Sequence, residues 1–369
     1  MFKRNTIFKL ISERCKISFK KILSKTEKNR ISLYCTGFPE KPFIERYRIK
    51  YGIPSDKNED LILKGKDYSI IKNMGFDAVS LWDFRRAKFD DKYNSEKNNE
   101  SIDSWGRVYK NGWYTWEGVF KNEKIVETWS KLKTPSPAEL KKLKKFLRNT
   151  EEIEFVLSLP GLFEKTWQSM GFITFSKSLR KNIELINKVI QFFYDYLVKL
   201  IKFLQNSGAS IFLIADDLGY KQRNFIPKYL IHELFFKKYQ DIVEMIHSGK
   251  NHIILHSDGY ISNLIDLMIE VDFDGVQSIE STAGNNIFEL FKKYRDQICF
   301  IGNLDNGSLL TYSNPSKVGL YVKRLIRSAK KYNSGIIISP TQQLNSIVNP
   351  ESLRVMINTV KEYNEKVFF

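Results

Sequence analysis

The chain is poor in cysteine and has no long apolar run. Its three cysteines, Cys15, Cys35 and Cys299, lie far apart among 369 residues. This spacing excludes a disulfide framework or a Cys-x-x-Cys zinc knuckle and favours a reducing compartment. No uninterrupted apolar stretch reaches the roughly 18 residues that a transmembrane helix needs, so an integral membrane protein is also excluded.

The motifs of several common enzyme classes are absent as well. No Gly-x-Gly-x-x-Gly opens a helix after an early strand and no Walker A motif occurs, which argues against nucleotide-binding sheets. No Gly-x-Ser-x-Gly elbow is present and no cysteine follows a predicted strand beside a histidine, which disfavours covalent serine or cysteine catalysis. No zinc-finger or RNP sequence accompanies the basic charge, and we predict no nucleic-acid partner.

What the chain does have is basic charge and enough apolar residues for a large core. Lysine and arginine number 59 against 42 aspartates and glutamates, and 42% of residues are hydrophobic. Residues 1–30 alone carry ten lysines and arginines against two glutamates. We interpret them as a basic N-terminal extension to a domain of residues 31–369. The alternative is an amphipathic helix that contacts a membrane surface.

Short β-branched apolar runs recur along the chain without strict alternation, which is typical of strands buried on both faces. The predicted strands are 31–37, 76–84, 155–161, 210–217, 252–259, 275–281, 299–305 and 335–341. The amphipathic segments between the later ones predict helices at 180–206, 226–248, 261–271, 286–297, 315–332 and 351–364. This alternation predicts right-handed βαβ units, and eight strands favour a closed (β/α)8 barrel of the α/β class.

Residues 85–150 interrupt this pattern with an aromatic segment. Asn111–Gly112 lies between aromatic, alternating runs, which predicts a β-hairpin. A lysine-rich helix is expected at 137–148. The hairpin is either a lid or wall for a large flat ligand, or a packed aromatic unit without a ligand role.

Polar residues follow most of the predicted strands, at the end where barrel enzymes place their active sites. We predict catalytic roles for Asp83, Asp217, His256 and Asp258, and substrate contacts for Arg85, Asp216, Asn303, Asp305 and Gln342. Neighbouring residues on a strand point to opposite faces. Of Asp216 and Asp217 we therefore expect one to face the site and the other to cap the following helix.

His256 and Asp258 are two residues apart, so both face the same side of a regular strand. With Glu280 from the next strand they form a candidate site for a divalent metal. The same residues can instead work as an acid/base pair in which the carboxylate orients the imidazole. A hydrogen-bonded structural histidine is the third interpretation, and the sequence leaves all three open.

Several short segments together resemble the uroporphyrinogen decarboxylase superfamily, which includes the cobalamin-linked methyltransferases. These segments are DSWGRVYK at 103–110, LPGLFE at 159–164, ADDLG at 215–219, HSDG at 256–259, GNLD at 302–305 and GIIISP at 335–340. The resemblance implies a (β/α)8 barrel with its cleft at the C-terminal face.

The methyltransferase branch of that superfamily holds zinc with a His-x-Cys pair and a later cysteine. His256 matches the histidine, whereas Asp258 and Gln342 stand at the thiolate positions, and Glu280 matches a carboxylate near the metal. The resemblance thus implies a divalent metal, zinc or another, in a more oxygen-rich site. It also implies a corrinoid as methyl carrier on a partner protein.

The decarboxylase branch grips its substrate carboxylates with an N-terminal arginine-rich motif, which this sequence does not reproduce. Arg46, Arg48, Arg85 and Arg86 are substitutes by type only. Asp83 matches by location the aspartate that binds the pyrrole N–H groups, and this branch needs no cofactor.

We therefore expect a cytoplasmic enzyme of this superfamily that performs corrinoid-linked methyl transfer. Uroporphyrinogen decarboxylation in porphyrin biosynthesis is the alternative, and a non-catalytic binder of a corrinoid protein or a membrane surface is the third. The expected partners are a small-molecule or tetrapyrrole substrate, a corrinoid protein, a membrane surface contacted through residues 1–30, and a second copy of the chain in a homodimer.

Overall fold

The eight predicted strands form one closed barrel in a computed structural model, which describes residues 19–54, 61–82, 99–150 and 153–367. The strands are β1 Ser32–Cys35, β2 Ala78–Leu81, β3 Glu154–Pro160, β4 Ile211–Ala215, β5 His252–Ser257, β6 Gly275–Ser278, β7 Cys299–Leu304 and β8 Ile336–Pro340. They pair in parallel in chain order, and β8 closes the barrel by pairing with β1. The (β/α)8 prediction is confirmed.

Helices surround the barrel. They are α1 Lys41–Tyr51, α2 Ser69–Met74, α3 Glu123–Thr128, α4 Pro137–Asn149, α5 Leu162–Met170, α6 Phe172–Lys181, α7 Ile183–Leu204, α8 Lys228–Ile231, α9 Lys237–Ser248, α10 Ile265–Glu270, α11 Ile287–Tyr294, α12 Leu309–Tyr312, α13 Pro315–Lys331 and α14 Pro350–Lys366. A π-helical turn at His232–Phe236 joins α8 to α9. In the described parts of the chain, no helix has both the length and the apolar character to cross a membrane.

Two apolar clusters stabilise this arrangement. The larger lies between the strands and the surrounding helices, and the smaller fills the inside of the barrel with Tyr34, Val156, Leu213, Ile254 and Ile301 among its members. Full burial of one such side chain contributes about 1.5–3 kcal/mol. This burial explains why the apolar runs in the sequence do not alternate with polar residues: each strand buries both of its faces.

The last part of the basic N-terminal segment covers the lower end of the barrel. Residues 19–23 are helical, and their apolar side chains Phe19, Ile22 and Leu23 are buried inside the barrel. Lys20 forms an ion pair with Glu154 at the start of β3, at 3.4 Å. Residues 1–18 lie outside the described residues, and contact with a membrane stays a prediction.

The aromatic segment forms a three-stranded antiparallel sheet beside the barrel mouth, with strands Glu100–Ile102, Arg107–Lys110 and Trp113–Gly118. The predicted hairpin turn is confirmed, since Asn111 and Gly112 both have positive φ, at 52° and 80°. The sheet is fixed to α5, because the Tyr114 hydroxyl donates to the Gln168 carbonyl at 3.2 Å. The lysine-rich helix is α4, which begins with a capping box of Ser136 and Glu139.

Candidate active site

Three side chains converge at the C-terminal mouth of the barrel, after β4 and at the end of β5. His256 Nε2 lies 3.9 Å from Asp217 Oδ1 and 3.9 Å from Asp258 Oδ1. One ligand atom from each of the three lies within 4.8 Å of the others. The Asp258 backbone N–H donates to Asp217 Oδ1 at 2.9 Å and holds the two carboxylates together. This spacing suits a divalent cation.

A buried amide sets the orientation of His256. Gln277, paired with His256 across β5 and β6, donates through Nε2 to the Thr341 carbonyl at 3.0 Å and to Thr36 Oγ1 at 3.2 Å. Its Oε1 therefore faces His256 Nδ1, with which it forms a short hydrogen bond. Because Oε1 only accepts, the proton lies on Nδ1, and the lone pair of Nε2 points toward the carboxylates.

Asp258 is held by neighbours on both sides. Ser278 Oγ donates to Asp258 Oδ1 at 3.1 Å, and Gln342 Nε2 donates to Asp258 Oδ2 at 3.3 Å. Gln342, predicted as a substrate contact, thus lies in the site and touches one member of the cluster. Trp82 packs edge-on against the His256 ring, with centroids 5.1 Å apart.

The third member of the cluster differs from the predicted ligand set. Asp217 occupies the place that the sequence assigned to Glu280. The Glu280 carboxylate turns aside, because its Oε2 accepts the Gly259 N–H at 2.9 Å and its Oε1 accepts the Thr282 hydroxyl at 3.3 Å. Glu280 lines the cavity next to the cluster instead.

Asp216 is a structural cap and not the predicted substrate contact. It is fully buried and accepts the N–H groups of Phe163 at 3.1 Å and Glu164 at 2.6 Å, at the start of α5. The Tyr239 hydroxyl donates to it as well, at 2.5 Å. Asp217 lines the cavity while Asp216 caps a helix, but the capped helix α5 precedes β4, whereas the sequence predicted a cap on the following helix.

Two further predicted substrate contacts are also structural. Asn303, 1% exposed, donates to the Ile279 carbonyl at 2.7 Å and accepts from the Tyr321 hydroxyl. Asp305, 6% exposed, accepts the N–H and the hydroxyl of Ser308 and so stabilises the turn after β7. Both side chains are thus engaged in hydrogen bonds with neighbouring residues of the protein. Asp83 and Arg85 lie outside the described residues.

The electrostatics of the cluster favour a bound cation. Loss of solvation raises the pKa of Asp217 to about 6, against the opposing effect of His256, and the nearby Glu164 and Asp258 carboxylates raise it further. An anion that is costly to maintain in this position is stabilised by a neighbouring positive charge.

Two cavities meet at Asp258. The larger, of about 1160 Å³, is called the aromatic cavity and is lined by Trp113, Tyr114, Trp116, Glu164, Trp167, Gln168, Asp217, Gly219, Tyr220, Lys221, Gln222, Arg223, Phe225, Asp258, Gly259, Glu280, Thr282 and Ala283. The smaller, of about 550 Å³, is called the histidine cavity and is lined by Thr36, Phe38, Lys66, Trp82, His256, Asp258, Gln342 and Gln343. The aromatic sheet thus forms one wall of the larger cavity.

The rings of that wall contact one another in a continuous row. The centroids of Trp116 and Trp167 are 5.3 Å apart, those of Trp167 and Phe225 are 5.7 Å apart, and those of Phe225 and Tyr220 are 5.2 Å apart. The row joins the hairpin strand, helix α5 and the loop after β4. Sequence reasoning missed Trp167 and Gln277; a glutamine within an otherwise apolar buried strand was the available signal for the latter.

Fold and site together define an α/β barrel with a histidine–carboxylate cluster at its C-terminal mouth. A family model described as "Uroporphyrinogen decarboxylase (URO-D)" matches residues 164–363, more than half of the chain. The chain belongs to this family, as the sequence resemblance predicted. No curated protein matches the chain.

Two solved structures are similar to this chain at low sequence identity. A methyltransferase from Methanosarcina mazei is 12% identical with a TM-score of 0.67, and the match covers 95% of this chain and 98% of that one. A B12-independent methionine synthase from Shewanella sp. W3-18-1 is 12% identical with a TM-score of 0.48, and the match covers 88% of this chain and 87% of that one. The first of these confirms the barrel fold over nearly the whole chain.

Proposed function

We propose that this chain is a metal-assisted methyltransferase that moves a methyl group between a small molecule and a corrinoid carried by a partner protein. The observation that carries the proposal is the Asp217–His256–Asp258 cluster at the mouth of a barrel of this family. The fold shared with a methyltransferase over 95% of the chain supports the same reaction class.

The donor set fits a divalent cation. It offers two carboxylates and an imidazole whose lone pair is already directed at them. Thiolate ligands are not available from Cys35 or Cys299, since both are buried and burial raises the pKa of each thiol. The remaining oxygen-rich set favours a harder ion than a thiolate site does. When bound, such an ion would supply Lewis acidity and positive charge beside the reacting groups.

The residues around the cluster prepare it for that role. Gln277 keeps His256 in one tautomer, which saves the free energy of reorganisation when a cation binds. Gln342 and Ser278 hold the two oxygens of Asp258 in place between the cavities. A donor in one cavity and an acceptor in the other would therefore meet beside the same carboxylate.

The charges near the site argue against decarboxylation of a polycarboxylate. Arg46 donates to the Val348 carbonyl at 3.0 Å, and Arg48 is ion-paired with Asp67 at 3.3 Å, and neither lines one of the two cavities. The aromatic cavity instead presents four carboxylates, Glu164, Asp217, Asp258 and Glu280, against Lys221 and Arg223. These four carboxylates would repel the carboxylates of such a substrate. Asp83, Arg85 and Arg86 lie outside the described residues.

The proposal is tested by metal content and by methyl transfer measured together. We expect purified wild-type protein to hold close to one equivalent of a divalent metal by elemental analysis. Asp258→Asn and Asp217→Asn should each lose most of it, because each removes one anionic ligand while keeping the shape of the side chain. Methyl transfer between free corrinoid and methylated small molecules, followed by the visible absorbance of the corrinoid, should fall with the metal.

Glu280→Gln is the matched control for metal content. It makes the same chemical change to a carboxylate that lines the same cavity but lies outside the cluster. Metal content should therefore be unchanged in this variant. A wild-type protein that binds no divalent metal, or equal loss in all three variants, would contradict the proposed site. Accumulation of decarboxylated porphyrinogen with no methyl transfer would support the alternative reaction.

A further inference from the structure

The aromatic cavity carries more aromatic surface than the packing of the fold requires. Trp113 is 80% exposed and Trp116 is 48% exposed, and both line this cavity. Large aromatic side chains left open beside a concave site commonly mark a surface that a ligand covers. The row of rings from Trp116 to Tyr220 gives that surface a length of several rings.

The same cavity holds the carboxylate of Glu280, which has hydrogen-bond partners but no ion-pair partner among the described residues. The Gly259 N–H and the Thr282 hydroxyl donate to the Glu280 carboxylate and hold it in one position. Within the described ranges, no lysine or arginine forms an ion pair with it. In a chain with a net charge of +17, a fixed anion that no described lysine or arginine pairs with, in the larger of these two cavities, indicates a cationic ligand.

The exposed aromatic wall and the Glu280 carboxylate together limit the class of ligand that fits the cavity. A neutral flat ring would cover the aromatic wall and leave Glu280 without a counter-charge. A bare inorganic cation would neutralise Glu280 and make no use of the rings. A methylated ammonium does both, because aromatic faces attract a weakly hydrated organic cation and its methyl groups bury apolar surface.

We propose that the aromatic cavity binds a quaternary or tertiary methylated ammonium compound, with Glu280 as the counter-charge and Trp116 on the aromatic side. This inference rests on the proposed function and names the chemical class of its methyl donor. Transfer from such a donor breaks one C–N bond. Nitrogen keeps the electron pair and becomes a neutral amine, and the nucleophilic corrinoid acceptor supplies the electron pair of the new bond to carbon.

The position of Asp258 agrees with this assignment. Asp258 lines both cavities, so a methyl group bound near Glu280 in the aromatic cavity lies on the route toward the cluster.

Calorimetry with metal-loaded, full-length protein tests the inference. The probe is choline, compared with dimethylbutanol, its uncharged isostere in which carbon replaces nitrogen. We expect choline to bind about tenfold more tightly than the isostere, as a desolvated cation–π contact with a counter-charge predicts. Glu280→Gln should remove most of this preference while metal content stays at the wild-type level.

Aromatic variants separate the ring contribution from folding. Trp116→Leu should weaken choline binding by about fivefold to tenfold, and Trp116→Phe should weaken it less, because a ring is kept. Tyr312→Leu is the control, since Tyr312 is 79% exposed and does not line the cavity. Equal affinity for choline and its isostere in the wild type would overturn the inference, as would wild-type choline affinity in both Glu280→Gln and Trp116→Leu.

The two proposals fail in distinguishable ways. Loss of the choline preference with an intact metal site and intact methyl transfer from other donors would remove only the assignment of the donor. Tight choline binding by a protein that holds no metal and transfers no methyl group would remove the proposed function instead.

Discussion

Two histidine–aspartate clusters lie at opposite ends of this barrel, and they are built differently. At the lower end, Asp274 accepts from His247 Nε2 at 3.0 Å, from His252 Nδ1 at 3.2 Å and from the Ile253 N–H at 2.7 Å. At the mouth, the closest approach between His256 Nε2 and either carboxylate is 3.9 Å, which is too long for a hydrogen bond. The lower cluster is closed on itself, and the upper one is open.

The pKa values of the two carboxylates show the same contrast. Burial raises the pKa of Asp274, but the hydrogen bonds from His247 and His252 outweigh this and lower it to about 2. At the mouth, burial dominates and the pKa of Asp217 rises to about 6. The same residue types thus stabilise the fold where they satisfy one another, and remain available for a ligand where the backbone keeps them apart.

The largest expected effect comes from removing one histidine from each cluster. His256→Ala should abolish stoichiometric metal binding and reduce methyl transfer by more than about a hundredfold, beyond the effect usual for residues outside the first coordination shell. His252→Ala is the matched control at the lower end and should keep the wild-type metal content. Elemental analysis and the corrinoid absorbance assay measure both. Methyl transfer and metal content that are unchanged in His256→Ala would show that the open cluster is not the reaction centre.

An intermediate effect is expected from opening the closed cluster. Asp274→Asn should lower the free energy of unfolding by about 2 kcal/mol, because the lowered pKa of Asp274 corresponds to that much stabilisation of its charged form. Urea denaturation at pH 6 measures the difference, and metal content should not change. A loss of metal in this variant would mean that the two ends of the barrel are coupled.

The pH dependence of this stabilisation follows from two shifts of opposite sign. The Asp274 pKa is lowered, so its contribution is present above pH about 4 and is lost as the pH falls toward 2. The His247 pKa is raised, chiefly by its hydrogen bond to Asp274, so its contribution is complete below pH about 6.5 and is lost as the pH rises through the folded-state value. The difference between wild type and Asp274→Asn should therefore be largest between pH 4 and about 6.5. A difference independent of pH would exclude this electrostatic origin.

The smallest of these effects concerns the residue that orients His256. Gln277→Leu should weaken metal binding about tenfold, because Nδ1 loses its acceptor and the imidazole is no longer held in one tautomer. Gln277→Glu keeps an acceptor for Nδ1 but cannot donate to the Thr341 carbonyl, so it should retain more affinity than Leu. Competition with a metal chelator measures both. Identical losses in the two variants would point to packing as the cause.

Much of the fold could be predicted from the sequence. All eight strands were placed to within a few residues, because strands buried on both faces appear as continuous apolar runs whatever surrounds them. Several were predicted too long at their C-terminal ends; the strand predicted at 275–281, for example, ends at Ser278. The polar residues that follow the strands leave the hydrogen-bonded ladder and enter the loops. There, the spacing of residues along the chain no longer predicts the direction in which a side chain points.

The candidate site was predicted only in part. His256 and Asp258 were identified because residues two apart on a strand share a face. Asp216, Asn303 and Asp305 were assigned to the substrate, yet each is buried and hydrogen-bonded to other residues of the protein. A carboxylate or amide after a strand has the same sequence signature whether it caps a helix or faces the cavity.

The barrel, the aromatic hairpin and the end of the barrel at which polar side chains gather can all be predicted from the sequence, since each depends on local apolar pattern and turn chemistry. Two features of the site follow from three-dimensional packing instead: Asp217 joins His256 and Asp258 while Glu280 turns aside, and Gln277 orients the imidazole. Those outcomes depend on which backbone N–H groups and carbonyls the neighbouring strands bring within about 3 Å of each side chain. The distances are fixed by the pairing register of the strands and by the paths of the loops, which no single stretch of sequence specifies.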